Sequence, residues 1–152
     1  MRKLRNLIGM PVVVNGRRLG RLVHAQLTDD LRRLSGVWVD SGLLGTRHIP
    51  AENLEMIGCM AVMADDRGKR MRCRVGFGLH RAVATDGRRL GAITGAEIDE
   101  LSFLVQALEL SGGLWDDLYS GRRRILRYTV SPENGEVVVQ DSAEQSDKEE
   151  EQ

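Results

Sequence analysis

NGRRLG at residues 15–20 recurs as DGRRLG at residues 86–91, which is 71 positions further along the chain. Asn-Gly and Asp-Gly are the strongest short-range hairpin signals, because a two-residue type I′ turn needs positive φ at both central positions. Each copy therefore predicts a β-hairpin with its arginines exposed at the tip. The recurrence of one hairpin at this distance indicates that a larger unit is duplicated.

Short β-rich segments surround the first turn. In chain order they are PVVV (11–14), LGRLVHAQL (19–27), GVWVDSG (36–42), RHIP (47–50) and AVMA (61–64), with a brief helical turn at AENL (51–54). Five or six strands within about sixty residues predict a small barrel rather than an open sheet.

The second half repeats this order from LHRAV (79–83) to VVVQDS (137–142), while the offset grows from about 71 to about 76 residues because the loop over residues 115–121 is longer. One segment, AEIDELSFLVQALELSGG (96–113), also has helical spacing, and taken alone it leaves helix and strand open. Its counterpart contains GVWV (36–39), so the repeat favours strand. The predicted fold is all-β, with two pseudo-symmetric tandem barrels at residues 1–66 and 75–140. A charged linker is predicted at 67–74.

The formal net charge of zero conceals an asymmetry. The last twelve residues, DSAEQSDKEEEQ (141–152), hold six acids and one lysine, so the preceding 140 residues keep 21 basic against 16 acidic side chains. A segment this acidic and this poor in apolar residues is predicted to be disordered. The asymmetry suggests the hypothesis that the tail screens a mildly basic folded body from other polyanions.

Cysteine and hydropathy patterns give expectations about metals and location. Cys59 and Cys73 are 14 positions apart and lack the CxxC spacing of zinc sites, so neither a metal nor another cofactor is expected. No secretory segment opens the chain, and apolar runs such as MIGCMAVMA (56–64) are much shorter than a membrane span. We therefore expect a cytoplasmic protein with reduced thiols and no membrane insertion.

The titratable residues do not form a recognisable catalytic motif. His24, His48 and His80 have no nucleophile motif near them, which favours ordinary surface or hydrogen-bonded histidines. Three pairs of acids lie in predicted turns, where carboxylates accept backbone hydrogen bonds; these are residues 29–30, 65–66 and 116–117. The sequence therefore predicts that the protein is not an enzyme.

The stretch that says most about binding is LWDDLYSGRRRILRY (114–128). Aromatic residues alternate there with arginines, and the candidate partner-binding residues are Trp115, Tyr119, Arg122, Arg123, Arg124, Arg127 and Tyr128. Arginine offers bidentate contacts to carboxylate or phosphate, and aromatic rings stack on bases or anchor interfaces. Three interpretations stay open: a solvated loop with Trp115 and Tyr128 in the barrel core, a site for an acidic protein surface, and an RNA site.

The first half resembles a known family. LIGMPVVVNGRRLGRLVHAQLTDDLRRLSGVWVDSG (7–42), continued by RHIPAENLEMIG (47–58), is similar to the PRC-barrel domain. That domain is shared by the cytoplasmic part of the photosynthetic reaction centre H subunit and the C-terminal half of the bacterial ribosome maturation factor. The similarity covers residues 4–64, and more weakly 75–140, where Leu126 replaces Pro50. Its elements are Gly9, the turn with Gly20, the acidic turn at 29–30, and IPAENL (49–54).

The resemblance implies a six-stranded barrel that serves as a binding platform, and it carries over no catalytic residue. It implies a non-enzymatic adaptor that binds a protein partner in RNA metabolism or ribosome assembly. The alternatives are an RNA-binding module and a structural scaffold that associates with itself, as a homo-oligomer, or with a membrane protein.

Overall fold

The computed structural model describes residues 1–73, 80–112 and 123–140. Within these ranges every regular element is a β-strand or a short 3-10 turn, so the predicted all-β class is confirmed. The predictions for Trp115, Tyr119, Arg122, the acid pair at 116–117 and the tail at 141–152 fall outside the described residues.

The chain divides into two compact units. The first comprises Met1–Gly76 together with Ile98–Val105, and the second comprises Phe77–Glu97 together with Gln106–Gln152. Each unit carries one strongly curled sheet that forms a half-barrel.

The first unit begins with strand β1 (Arg2–Lys3) and a 3-10 turn at Leu4–Leu7. Its sheet contains β2 (Pro11–Val14), β3 (Arg17–Leu27), β4 (Leu34–Asp40), β5 (Thr46–Pro50), β6 (Leu54–Ile57), β7 (Val62–Ala64) and β8 (Lys69–Arg70). Short 3-10 turns lie at Gly42–Leu44 and Ala51–Asn53, and the spatial order is β6-β7-β2-β3-β4-β5-β8. Strand β8 arises from the charged segment predicted as a linker, because Lys69 and Arg70 pair with His48 and Arg47 on β5.

The second unit repeats this topology. Its strands are β9 (His80–Ala84), β10 (Arg89–Ile98), β11 (Val105–Ser111), β12 (Arg123–Ile125), β13 (Tyr128–Val130) and β14 (Val137–Val139). Their order, β12-β11-β10-β9-β14-β13, corresponds strand by strand to β5-β4-β3-β2-β7-β6. In both units the first strand of the hairpin also pairs in parallel with a later strand, β2 with β7 and β9 with β14. The segment that had helical spacing contains the end of β10 and all of β11, as the repeat predicted.

The two similar hairpins have different turns. Asn15 and Gly16 both have positive φ, of 50° and 79°, and Val14 pairs with Arg17, so the first is the expected two-residue turn. In the second, the Ala84 N–H donates to the Arg88 carbonyl and the Gly87 N–H donates to the Ala84 carbonyl. This loop has three central residues, so the prediction of a type I′ turn was wrong there. The arginines of both copies are exposed, as predicted.

The glycine that ends each repeated motif has a steric role. A Cβ at Gly20 would overlap the Asp40 carbonyl oxygen, and a Cβ at Gly91 would overlap the Ser111 carbonyl oxygen. Residues 40 and 111 are themselves 71 positions apart, so each copy uses glycine for the same close approach of neighbouring strands.

A segment of the second repeat completes the core of the first unit. Ile98 is fully buried there and Phe103 is 9% exposed. They pack with the apolar side chains of the first sheet, which include Leu7, Leu22, Leu34, Val37, Val39, Ile49, Ile57 and Val62.

Reciprocal hydrogen bonds hold this segment in place. The Leu34 N–H donates to the Phe103 carbonyl at 2.9 Å, and the Val105 N–H donates to the Arg32 carbonyl at 2.8 Å. The two donors, Leu34 and Val105, are 71 positions apart, and so are the two acceptors, Arg32 and Phe103. The equivalent hairpin loops of the two repeats therefore exchange equivalent hydrogen bonds. Leu31 and Phe103, one in each loop, adopt φ of 55° and 61° and are buried, so packing compensates for an unfavourable backbone conformation.

We expect Phe103→Ala to destabilise the first unit by about 3–5 kcal/mol, because it leaves a large void in a closed core. The neighbouring Leu104 is 47% exposed, so Leu104→Ala is the matched control with a loss of less than about 1 kcal/mol. Urea unfolding followed by Trp38 fluorescence in a Trp115→Phe background measures both. Equal midpoints for the two variants would contradict a structural role for Phe103.

Candidate functional site

Four of the seven predicted binding residues lie in the described part of the second unit. Arg123 and Arg124 are on β12, Arg127 is in the connection to β13, and Tyr128 begins β13. These four are close in sequence, but they are divided between the two strands at opposite ends of the strand order, β12 and β13.

Arg124 forms an ion pair with a buried acid. Its Nε and Nη2 atoms donate to Glu97 Oε2 at 3.1 and 2.7 Å. The Glu97 side chain is 11% exposed, whereas that of Arg124 is 47% exposed. Arg124 also pairs in register with Glu109 on β11, a second buried acid. This arginine therefore compensates negative charge inside the second unit, and its guanidinium is already engaged.

The remaining predicted residues divide into exposed and buried positions. Arg123 and Arg127 are exposed, with Leu126 between them 56% exposed. Tyr128 is only 2% exposed, so its ring packs inside the second unit and is not available for stacking. The described part of the predicted site is thus a small surface with two arginines and one leucine.

A stack of three rings occupies the outer face of the first sheet. Register places His24 on β3, Trp38 on β4 and His48 on β5 side by side. The ring centroids of His24 and Trp38 are 5.4 Å apart, and those of Trp38 and His48 are 4.4 Å apart. Trp38 lies between the core residues Val37 and Val39 on its strand, so its ring points away from the core, yet it is 4% exposed.

Burial affects the chemistry of this stack. It lowers the pKa of both His24 and His48, because an imidazolium is costly to bury. Trp38 Nε1 is buried and finds no hydrogen-bond acceptor among the described residues. Sequence reasoning missed the stack because its three members become neighbours only through strand register.

The two units place different chemistry at the same sheet positions. The 71-residue offset relates Trp38 to Glu109, and the longer offset relates His48 to Arg124. The first unit therefore has an aromatic stack where the second has an acid beside an arginine. The repeat preserves the backbone arrangement while the side chains on this face diverge.

Exposed apolar side chains are concentrated in the first unit. Among the described residues, ten of the eleven large hydrophobic side chains classed as exposed lie there, and the exception is Leu126. Contiguous apolar patches on a folded protein commonly mark interaction surfaces. In the described part of the chain, the side chains that could form such a patch therefore lie almost entirely in the first unit.

Three of these side chains are on segments joined by one arginine–glutamate pair. Arg2 Nη2 donates to the Gly58 carbonyl at 3.1 Å, and its Nε lies 3.6 Å from Glu100 Oε1. The Ile57 N–H donates to the Glu100 carbonyl at 2.9 Å. The exposed side chains carried by these segments are Met1, Met60 and Leu101, at 63%, 83% and 70% exposure. We call them the methionine patch.

The chain matches no protein-family model, and no curated protein is significantly similar to it in sequence. In the described ranges, His, Cys, Asp and Glu side chains do not gather in groups of three that could hold a metal ion. Those ranges also contain no helix long and apolar enough to cross a membrane.

One acid of each described pair accepts a backbone hydrogen bond in its turn, as the sequence predicted. Asp30 accepts hydrogen bonds from the Thr28 hydroxyl and the Arg32 N–H, which lower the pKa of its carboxyl. The Asp66 carboxylate accepts the Gly68 N–H at 3.4 Å. His80 Nδ1 lies 2.9 Å from the Gly135 carbonyl, so this histidine is hydrogen-bonded as predicted.

Arg124→Leu should destabilise the second unit by about 1–3 kcal/mol, because the buried Glu97 carboxylate loses its ion-pair partner. Arg123→Leu, at an exposed position on the same strand, should change stability by less than about 0.5 kcal/mol. Adding Glu97→Gln to Arg124→Leu should recover part of the loss by removing the buried charge. Urea unfolding followed by circular dichroism checks this, and equal effects of the two arginine substitutions would refute it.

The histidine stack predicts a pH dependence. In the folded state His24 and His48 have pKa values below their ordinary value of 6.5. Between the folded-state pKa and 6.5, the unfolded chain therefore binds more protons than the folded chain. The contribution of the two buried neutral histidines to the free energy of unfolding is therefore fully present above about pH 6.5. It falls as the pH drops from about 6.5 towards their folded-state pKa values. His24→Gln/His48→Gln should flatten the dependence between about pH 7.5 and 5.5, measured by urea unfolding. His80→Gln is the control, and an unchanged slope in the double variant would contradict the assignment.

Proposed function

We propose that the chain is a non-enzymatic adaptor of the PRC-barrel type that binds a protein partner in ribosome assembly or RNA metabolism. The observation that carries the proposal is the concentration of exposed apolar side chains on the first unit, and in particular the methionine patch. Such a patch suits a protein partner, because methionine side chains adapt their shape to an apolar surface.

The architecture supports a binding role. Two repeated half-barrels present broad sheet faces and hairpin tips, which are surfaces for contact with another macromolecule. The resemblance of residues 4–64 to the PRC-barrel domain supports a place among assembly factors. The experiment that tests this pathway identifies the partner.

The first alternative, RNA binding, draws support from Arg123 and Arg127, both exposed near the predicted aromatic–arginine stretch. It would require affinity that falls steeply with salt. Tyr128 contributes nothing to base stacking because it is buried. The second alternative, a scaffold that associates with itself or with a membrane protein, would show a closed oligomer by light scattering or co-purifying membrane proteins.

The test is affinity capture of the tagged full-length protein from its own cell lysate, with and without nuclease, followed by mass spectrometry. We expect ribosomal or RNA-processing proteins that survive nuclease treatment. Met60→Ser/Leu101→Ser should reduce their recovery about tenfold or more, because two exposed interface anchors are lost. Leu43→Ser/Leu44→Ser removes the same amount of exposed apolar surface elsewhere on the first unit and is the matched control.

Each alternative gives a different result in this experiment. Loss of the captured proteins on nuclease treatment would favour RNA binding over protein binding. Recovery of the bait alone, as an oligomer, or of membrane proteins would favour the scaffold. Equal recovery of the captured proteins with the two double variants would show that the methionine patch does not bind them.

A further inference from the structure

The hairpin between β4 and β5 projects two leucines into solvent. Leu43 is 105% exposed and Leu44 is 51% exposed, so both extend from the tip of the loop. The loop is internally hydrogen-bonded: the Ser41 N–H donates to the Gly45 carbonyl, and the Gly42 N–H donates to Asp40 Oδ1. The leucines are therefore held out by an ordered turn.

The segment that includes β8 lies beside this hairpin. The Met71 N–H donates to the Thr46 carbonyl at 3.0 Å, and Met71 is 45% exposed. Arg70 packs over the turn, because a Cβ at Gly45 would lie 3.0 Å from its Nε atom. Leu43, Leu44 and Met71 together form what we call the tip patch.

The surroundings of the tip patch are strongly basic. Residues 41–47 and 67–73 contain five lysines and arginines and no acid. Of these, Arg67, Lys69, Arg70 and Arg72 are exposed. The nearest acids in sequence, Asp40 and Asp66, each accept a backbone N–H within their own turns. The tip patch is therefore an apolar projection with a cluster of positive charge beside it on the β8 segment.

From this geometry we infer that the β4–β5 tip docks on an anionic membrane surface. A leucine that projects fully from a convex tip can be covered only by a concave or deformable partner, and the interfacial region of a bilayer is deformable. Lysine and arginine near the surface are attracted to anionic headgroups. RNA is disfavoured because the two segments contain no aromatic ring for base stacking.

This inference is independent of the proposed function, since the tip patch and the methionine patch share no residue. A chain that binds a protein partner through one and a lipid surface through the other would be recruited to the membrane without spanning it. The interaction would be weak and reversible, because a few apolar side chains with a basic cluster give only shallow binding.

The test is flotation of the full-length protein with two kinds of vesicle, phosphatidylcholine alone and phosphatidylcholine with about one third phosphatidylglycerol. We expect binding only to the anionic vesicles, and weaker binding at about 0.5 M than at about 0.1 M salt. Leu43→Ser/Leu44→Ser should lower the partition coefficient about tenfold or more. Lys69→Gln/Arg70→Gln should lower it roughly fivefold for each charge removed.

Met60→Ser/Leu101→Ser is the control and should float like the wild type, even if it loses its protein partners. Because all substituted side chains are exposed, unchanged circular dichroism spectra should show that each variant is folded. Absence of flotation, equal flotation with neutral vesicles, or an unaffected Leu43→Ser/Leu44→Ser variant would overturn the inference. Retention on immobilised polyglutamate without vesicle binding would also overturn it, by assigning the tip to an acidic protein.

Discussion

The burial of Phe103 in the core of the first unit is the contact on which the architecture depends. The first sheet alone leaves its core incomplete, and a loop from the second repeat closes it with Ile98 and Phe103. The reciprocal hydrogen bonds between residues 32–34 and 103–105 fix that loop in register. The first unit is consequently discontinuous in sequence, and neither repeat contains all the residues needed for one compact core.

The two copies of the repeated hairpin differ in how well the sequence predicts their turns. The Asn15-Gly16 turn was predicted correctly because its geometry depends only on local backbone preferences. Asp86-Gly87 carries nearly the same signal, yet the turn there is one residue longer. The length of the turn depends on how β9 and β10 pair, and the six residues of the repeated motif do not determine that pairing.

Other features escaped the sequence because they arise from tertiary contacts. Helical spacing in residues 96–113 was outweighed by the repeat, but nothing in that pattern indicated that Phe103 would enter another sheet's core. The histidine–tryptophan stack depends on the register of three strands. Of the predicted binding residues, Arg124 is engaged by Glu97 and Tyr128 is buried, because the two lie in strands β12 and β13 of the sheet.

Duplication followed by divergence accounts for the distribution of chemistry. A backbone constraint such as Gly20 and Gly91 is kept in both copies, because a Cβ at either position would collide with a neighbouring strand. The outer sheet face is free of that constraint, and there the first unit has rings where the second has an ion pair. Arg124 pairs with the buried Glu97 within the fold, whereas the side chains of Leu43, Leu44 and Met60 project into solvent. Exposed apolar side chains with no internal role are the positions at which selection for binding, rather than for stability, is expected to act. On this argument the proposed binding surfaces are those of the first unit, although the arginine-rich stretch of the second is the more conspicuous feature of the sequence.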